Sequence, residues 1–214
     1  MTRKRIQIVK GAITPVTRTL WSAATEKLQE AEDGITQMRN AQDRITYEAG
    51  WAKLIDSLEV FWSRFFDEGE ETFTKFQPWA GKLDAYRKKD DLLRYLIQAR
   101  HQSQHGRIAL QWGEPSLLIA PNFNGHIRGF ELVKDGTYEM DSTPLHASQP
   151  EATIAYNPGD ALLPVVNNKL HKQTFNPPTH HNNKPIQDSC PLVVAQIGLD
   201  YYKNILALAR RQFE

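Results

Sequence analysis

Cysteine occurs once in this chain, at Cys190. A single thiol closes no internal disulfide and builds no multi-cysteine zinc site, and both points favour a reducing, cytoplasmic setting. Long apolar runs are missing too: stretches such as Ala161-Leu162-Leu163-Pro164-Val165-Val166 fall far short of the roughly 20 residues that cross a bilayer. No membrane partner is expected. The basic start MTRKRIQIVKGAITPV begins like a signal peptide, but polar residues interrupt it before an apolar stretch of roughly 7–15 residues can form. It is not expected to direct export.

A charge excess is also absent. The 26 basic and 25 acidic residues leave a net charge of +1, which does not support a binder that holds nucleic acid non-specifically through a large positive field. Short basic clusters remain at Arg3-Lys4-Arg5, Arg87-Lys88-Lys89 and Arg210-Arg211. Clusters this short read first as solvated surface, and contact with RNA requires them to gather on one face. Glycine-rich phosphate loops and internal repeats are missing. What remains is ordinary globular material: 214 residues, 40% hydrophobic and 24% charged, enough for one sizeable core and a single domain over 1–214.

Two patterns divide that domain. Hydrophobic residues recur every three or four positions from about Thr14 to His105, and again from Leu192 to Ala209, as amphipathic helices require. Thr14 and Pro15 fit the cap and first position of helix one, whose stripe runs Val16, Leu20, Ala23, Ala24, Leu28, Ala31, Ile35 and Met38, with Gly34 a weak or bent point. Helix two carries Tyr47, Trp51, Leu54, Ile55, Leu58, Phe61, Trp62 and Phe65. Large side chains at this spacing read as core rather than as a base-stacking platform. The segment 71–89 reads as a short helix or a connector, and Asp90 or Asp91 caps a further helix over 91–104. Ser189 is the expected cap of the last helix, with Pro191 in its first turn.

Between the blocks, residues 107–188 are rich in Pro, Asn and Gly, with short strand-like runs at 116–120, 130–133, 137–140, 152–156 and 162–166. Lys134-Asp135-Gly136 is a hairpin signal, and 176–189 reads as an irregular surface crossing. The expected fold is therefore mainly α: a four-helix bundle from 14–106 and 189–212 with a β-rich insertion, 107–188, between its third and fourth main helices.

The chemistry-bearing stretch is YLIQARHQSQHG, residues 95–106. At about 100° per residue, His101 and His105 share a face, whereas Arg100 and His105 lie roughly 140° apart on an unbroken helix. They converge on one phosphate only if the helix ends near Gln104, as Gly106 suggests, or if a second subunit supplies the facing copy. Arginine grips phosphate oxygens bidentately, histidine titrates near neutrality, and a helix C-terminus favours the imidazolium. That pairing suits phosphodiester cleavage without a metal. From the residues alone three readings stay open: polar side chains that satisfy helix-end carbonyls, a catalytic pair, or a non-catalytic ligand or partner site.

Other constellations lead less far. His101 and His105 have the spacing of two zinc ligands on a helix but lack the glutamate of a metalloprotease motif and a nearby acidic ligand. His180-His181, with His171 upstream, read as a solvated loop. Cys190, next to Pro191 and an apolar run, reads as an inert thiol. No metal and no cofactor are expected.

The run Arg100-His101-Gln102-Ser103-Gln104-His105 after an apolar helix seam resembles the Arg, polar, any three, His signature of HEPN domains. These are helical bundles that often act as ribonucleases. In that family the arginine ends the third main helix, the histidine lies just beyond, and a fourth helix completes the bundle, an order this chain matches over its helical parts. The resemblance implies that Arg100 and His105 are the catalytic pair, with His101 as the polar residue that follows the arginine. It implies cleavage of RNA by its own 2′-OH, in a homodimer that sets two motifs face to face. Gln104, Arg87, Lys88 and Lys89 are the expected RNA contacts. The β-rich insertion directly after the motif departs from the simple family pattern. The expected function is thus a HEPN-like, metal-independent endoribonuclease or toxin-type RNA-processing protein; the alternative is a non-catalytic interaction or assembly module with a cognate protein partner, in a bacterial or phage context.

Overall fold

The computed structural model describes residues 20–104, 110–114, 116–119, 125–132, 138–144, 154–157, 159–168 and 172–214. Thr14, Pro15, Val16, His105, Gly106, His171 and the turn Lys134-Asp135-Gly136 lie outside the described residues. Among those described, five helices occur: α1 Ser22–Asn40, α2 Arg44–Thr72, α3 Phe76–Arg87, α4 Asp91–Gln104 and α5 Pro191–Phe213. The chain is mainly helical, with small antiparallel strand pairs.

The aromatic stripe of α2 organises the helices. Asp43 starts α2 by accepting the Thr46 amide and hydroxyl, each at 2.7 Å, which satisfies an otherwise free N-terminal donor. From there Trp51, Leu54, Ile55, Leu58, Phe61, Trp62 and Phe65 are buried, as their spacing predicts, and Tyr47 is half-buried. Trp21, Phe61 and Phe76 surround Phe65 with ring centroids 5.2–5.6 Å away. α2 touches α1, α3, α4 and α5, and α5 also packs on α1 and α4. Gly34 sits within a continuous α1, where it serves as a contact: a Cβ there would lie 2.8 Å from the Gly50 carbonyl oxygen, and one on Gly50 2.7 Å from that of Gly34. Any side chain at either position would force α1 and α2 apart.

The segment 71–89 resolves as helix α3. Pro78 falls in its first turn, where a missing N–H leaves no bond unmade. Asp90 caps α4, accepting the Leu93 amide at 3.1 Å, and the helix runs over the predicted residues. For α5 the cap is Cys190 rather than Ser189. Cys190 has extended backbone and Pro191 opens the helix, while the Asp188 carboxylate takes the Cys190 amide at 2.8 Å.

The strands are β1 Gln111–Trp112, β2 Ser116–Ile119, β3 Gly125–Leu132, β4 Tyr138–Pro144, β5 Ile154–Asn157, β6 Ala161–Leu162, β7 Val166–Asn168, β8 Gln173–Phe175, β9 His180–His181 and β10 Lys184–Pro185. The first six pair in nested order: β1 with β6, β2 with β5, β3 with β4, all antiparallel. β1–β6 and β2–β5 share one register, so the chain leaves and returns as a two-stranded ribbon. Its innermost described pair is Leu132 with Tyr138, flanking the turn that Asp-Gly predicts.

Two expectations in the insertion need correction. The run Leu162–Val166 is not one strand but the end of β6 and the start of β7. Between them Leu163 and Pro164 are buried, and the Pro164 carbonyl accepts the Tyr95 hydroxyl at 2.8 Å. Pro164 has no N–H to give a ladder, so the strand breaks where it docks on α4. Residues 176–189 are not wholly irregular either. β9 and β10 form a short hairpin across Asn182 and Asn183, both with positive φ (52° and 59°), a conformation asparagine tolerates in two-residue turns.

Candidate functional site

The last turn of α4 carries the residues singled out from the sequence. Arg100 is 20% exposed, and its Nε donates to Asp56 Oδ1 at 3.2 Å. Asp56 stands on the middle of α2 and is 55% exposed. No other hydrogen bond or ion pair to this guanidinium occurs among the described residues. The bond at Nε orients the plane of the fork and leaves the two terminal amino groups, the pair suited to bidentate phosphate contact, outside it. Charge at the pair sums to zero.

His101 and Gln104 are exposed beside Arg100, and Gln104 is the last described residue of α4; His105 lies outside the described residues. One turn earlier, Gln98 Oε1 accepts Asn168 Nδ2 at 2.9 Å. With the Tyr95–Pro164 bond, this lays β7 along the flank of α4. The structure thus brings Arg100 together with Asp56, and the returning insertion with the same helix.

The expected basic patch divides. Arg87 is 4% exposed: its Nε donates to the Tyr202 hydroxyl at 2.8 Å, its Nη2 pairs with the Glu59 carboxylate, and its guanidinium lies 4.7 Å from the Trp62 ring centroid. Burial pushes the Tyr202 hydroxyl up to about 12, with Arg87 pulling the other way. Arg87 therefore ties α3 to α2 and α5 from inside. Lys88 is exposed and bound to Asp84 at 2.6 Å, and Lys89 is exposed. These three lie before α4 begins, whereas Arg100 is in its last turn, and nine helical steps from Asp91 to Arg100 amount to roughly 14 Å.

The start of α4 holds a polar cluster that sequence reasoning missed. The Asp90 carboxylate accepts His181 Nδ1 (3.0 Å), the Tyr86 hydroxyl (3.0 Å) and the Asn182 amide (2.9 Å), besides capping the helix. Asp91 accepts the Thr179 amide at 2.9 Å. Burial alone would raise the Asp90 carboxyl. The His181 hydrogen bond, the Asn182 and Leu93 amides and the His181 charge outweigh burial and hold it down at about 2. Tyr86 moves the other way, to about 12, through burial and the adjacent Asp90. His181 is 18% exposed and stands edge-on to Tyr201 at 5.7 Å. Two consecutive aspartates thus fasten the β9–β10 hairpin to the start of α4, and His181 belongs to that clamp rather than to a solvated loop.

Comparison with family models, curated proteins and solved structures finds no match to this chain. Of the residues that matter here, Asp90 was visible as a helix cap. Asp56 had no local signal, because one acidic residue on the polar side of α2 looks like any other. His181 could be linked to Asp90 only through the fold.

Proposed function

We propose that α1, α2, α4 and α5 form a HEPN-like four-helix bundle and that the end of α4 is half of a metal-independent endoribonuclease site, completed by a second copy of the chain. The observation that carries this reading is Arg100. It sits in the last described turn of α4 and is oriented through Nε by Asp56, with its terminal amino groups left for a phosphate. In the reaction a general base takes the proton of an RNA 2′-OH, the 2′ oxygen bonds to phosphorus, and the P–O5′ bond breaks. A general acid then protonates the leaving oxygen. Arg100 neutralises charge on the phosphoryl oxygens, the two His105 side chains of a dimer serve as base and acid, and His101 assists.

A second reading, an interaction or assembly module without catalysis, draws on the same ion pair. An arginine that joins α4 to α2 needs no substrate. The deciding experiment incubates labelled RNA with the protein in excess chelator. Chelator-resistant cleavage by the wild type, reduced by about 10²-fold or more in Arg100→Ala and His105→Ala, is the expected result. Absent cleavage, or cleavage that survives both substitutions, removes the catalytic reading in favour of the module.

A further inference from the structure

A cleft of about 900 Å³ opens where the turn before α2, the β1–β6 pair and the start of α5 meet. Its volume falls within the range of small-molecule sites. Tyr47, Trp112, Leu163, Cys190 and Leu192 form apolar and half-buried walls, and the exposed carboxyl-bearing residues Asp43, Asp160 and Asp188 stand among its lining. Among the described residues, no lysine, arginine or histidine lines it.

The sign of the preferred ligand follows from charge. Two helices start here, α2 after Asp43 and α5 after Cys190, and each N-terminus contributes roughly half a positive unit. Three carboxylates outweigh that single unit. Asp43 and Asp188 already turn oxygens to helix-start amides, whereas Asp160 makes no ion pair among the described residues. Arg44, 5.0 Å from the Trp112 ring centroid, and Glu48, which accepts Trp112 Nε1 at 2.6 Å, offset each other. Trp112 is thereby fixed from three sides, with the Tyr47 ring edge-on to it at 5.6 Å. The Tyr47 hydroxyl is pushed up to about 12 by burial and then by Cys190, against the Leu192 amide, and stays neutral.

We propose that this cleft binds a small aliphatic polyamine. Methylene segments lie against the apolar walls while ammonium groups reach the acidic side chains, the arrangement by which long amines cover hydrophobic surface. No residue of the cleft belongs to the Arg100–Asp56 pair, and the binding needs no RNA chemistry.

Spermidine is the probe, titrated calorimetrically into the full chain. Because Cys190 is the sole cysteine, its rate of maleimide labelling reports the same cleft. Saturable binding that slows Cys190 labelling is expected, weakened about tenfold in Asp160→Asn/Asp188→Asn and further by added salt. Both substitutions are at exposed positions, and unchanged circular dichroism confirms that the variant is folded. Absence of saturable binding, affinity equal in wild type and double variant, or unaltered Cys190 labelling overturns the proposal. So does saturable binding of inorganic phosphate in place of spermidine, which would show that the helix starts dominate.

Discussion

The helices and the ribbon solve the problem of burial in opposite ways. Around Phe65, rings from α2, α3 and Trp21, the residue that caps α1, interlock, and Arg87 reaches from α3 to Glu59, Trp62 and Tyr202 on two other helices. Each residue there is held by partners distant in sequence. In the ribbon, β2 meets β5 and β3 meets β4 in nested order, and the principal contacts of each pair are internal to it. Two strands alone are only marginally stable in water. Stability should therefore concentrate in the helices, and substitutions should separate the two regions sharply.

The largest effect is expected at the centre of the helical core. Phe65 is fully buried, so Phe65→Ala removes a ring from six aromatic neighbours among the described residues and leaves a cavity that the helices only partly close. A loss of about 3–5 kcal/mol in urea denaturation is expected, a large share of the total for a domain this size. A loss under about 1 kcal/mol, the scale of a surface site, would show that the ring cluster is loosely packed.

Next comes the seam where insertion and helices join. The folded-state value of Asp90, about 2, lies below the ordinary 3.8, so its ionisation stabilises the fold above pH 3.8. That contribution declines as pH falls from about 4 to 2 and is gone below. The shift corresponds to about 2 kcal/mol. Asp90→Asn should lose this amount at pH 7, and its urea midpoint should converge on that of the wild type as pH approaches 2. Amide exchange in 179–186 should quicken in the same variant. An unchanged midpoint at pH 7 would mean that the hairpin adds nothing to the fold.

How much the sequence disclosed follows the same division. Periodicity located α2, α4 and α5 because their burial is set by neighbours three and four positions away. The role of Gly34 was not legible, because a glycine that admits another helix backbone looks the same as one that weakens its own. Arg87 looked like part of a basic surface cluster, since nothing local to it reveals Glu59, Trp62 and Tyr202. In the insertion, β2, β5 and parts of β3 and β4 were legible from short β-branched and aromatic runs, whereas β1, β8, β9 and β10 were not. The split at Pro164 and the clamp on His181 depend on docking against α4, information that no window of the sequence holds. At the candidate site, Arg100 was legible and Asp56, contributed by another helix, was not.

The smallest effect is expected from removing most of the ribbon. Replacing 116–157 by a short turn keeps β1 and β6, the docked segment 163–168 and the β9–β10 hairpin, and shortens the connection. Loop closure changes only with the logarithm of length, and a two-stranded ribbon brings little stability of its own. The helical urea midpoint should therefore move by less than about 1 kcal/mol in free energy, well below Phe65→Ala and Asp90→Asn. If excision instead matches the loss from Phe65→Ala, the ribbon packs on the helices as part of one core. If the midpoint holds, the ribbon is free to serve binding rather than stability, and assaying RNA cleavage and spermidine binding on the same protein assigns it to one function or the other.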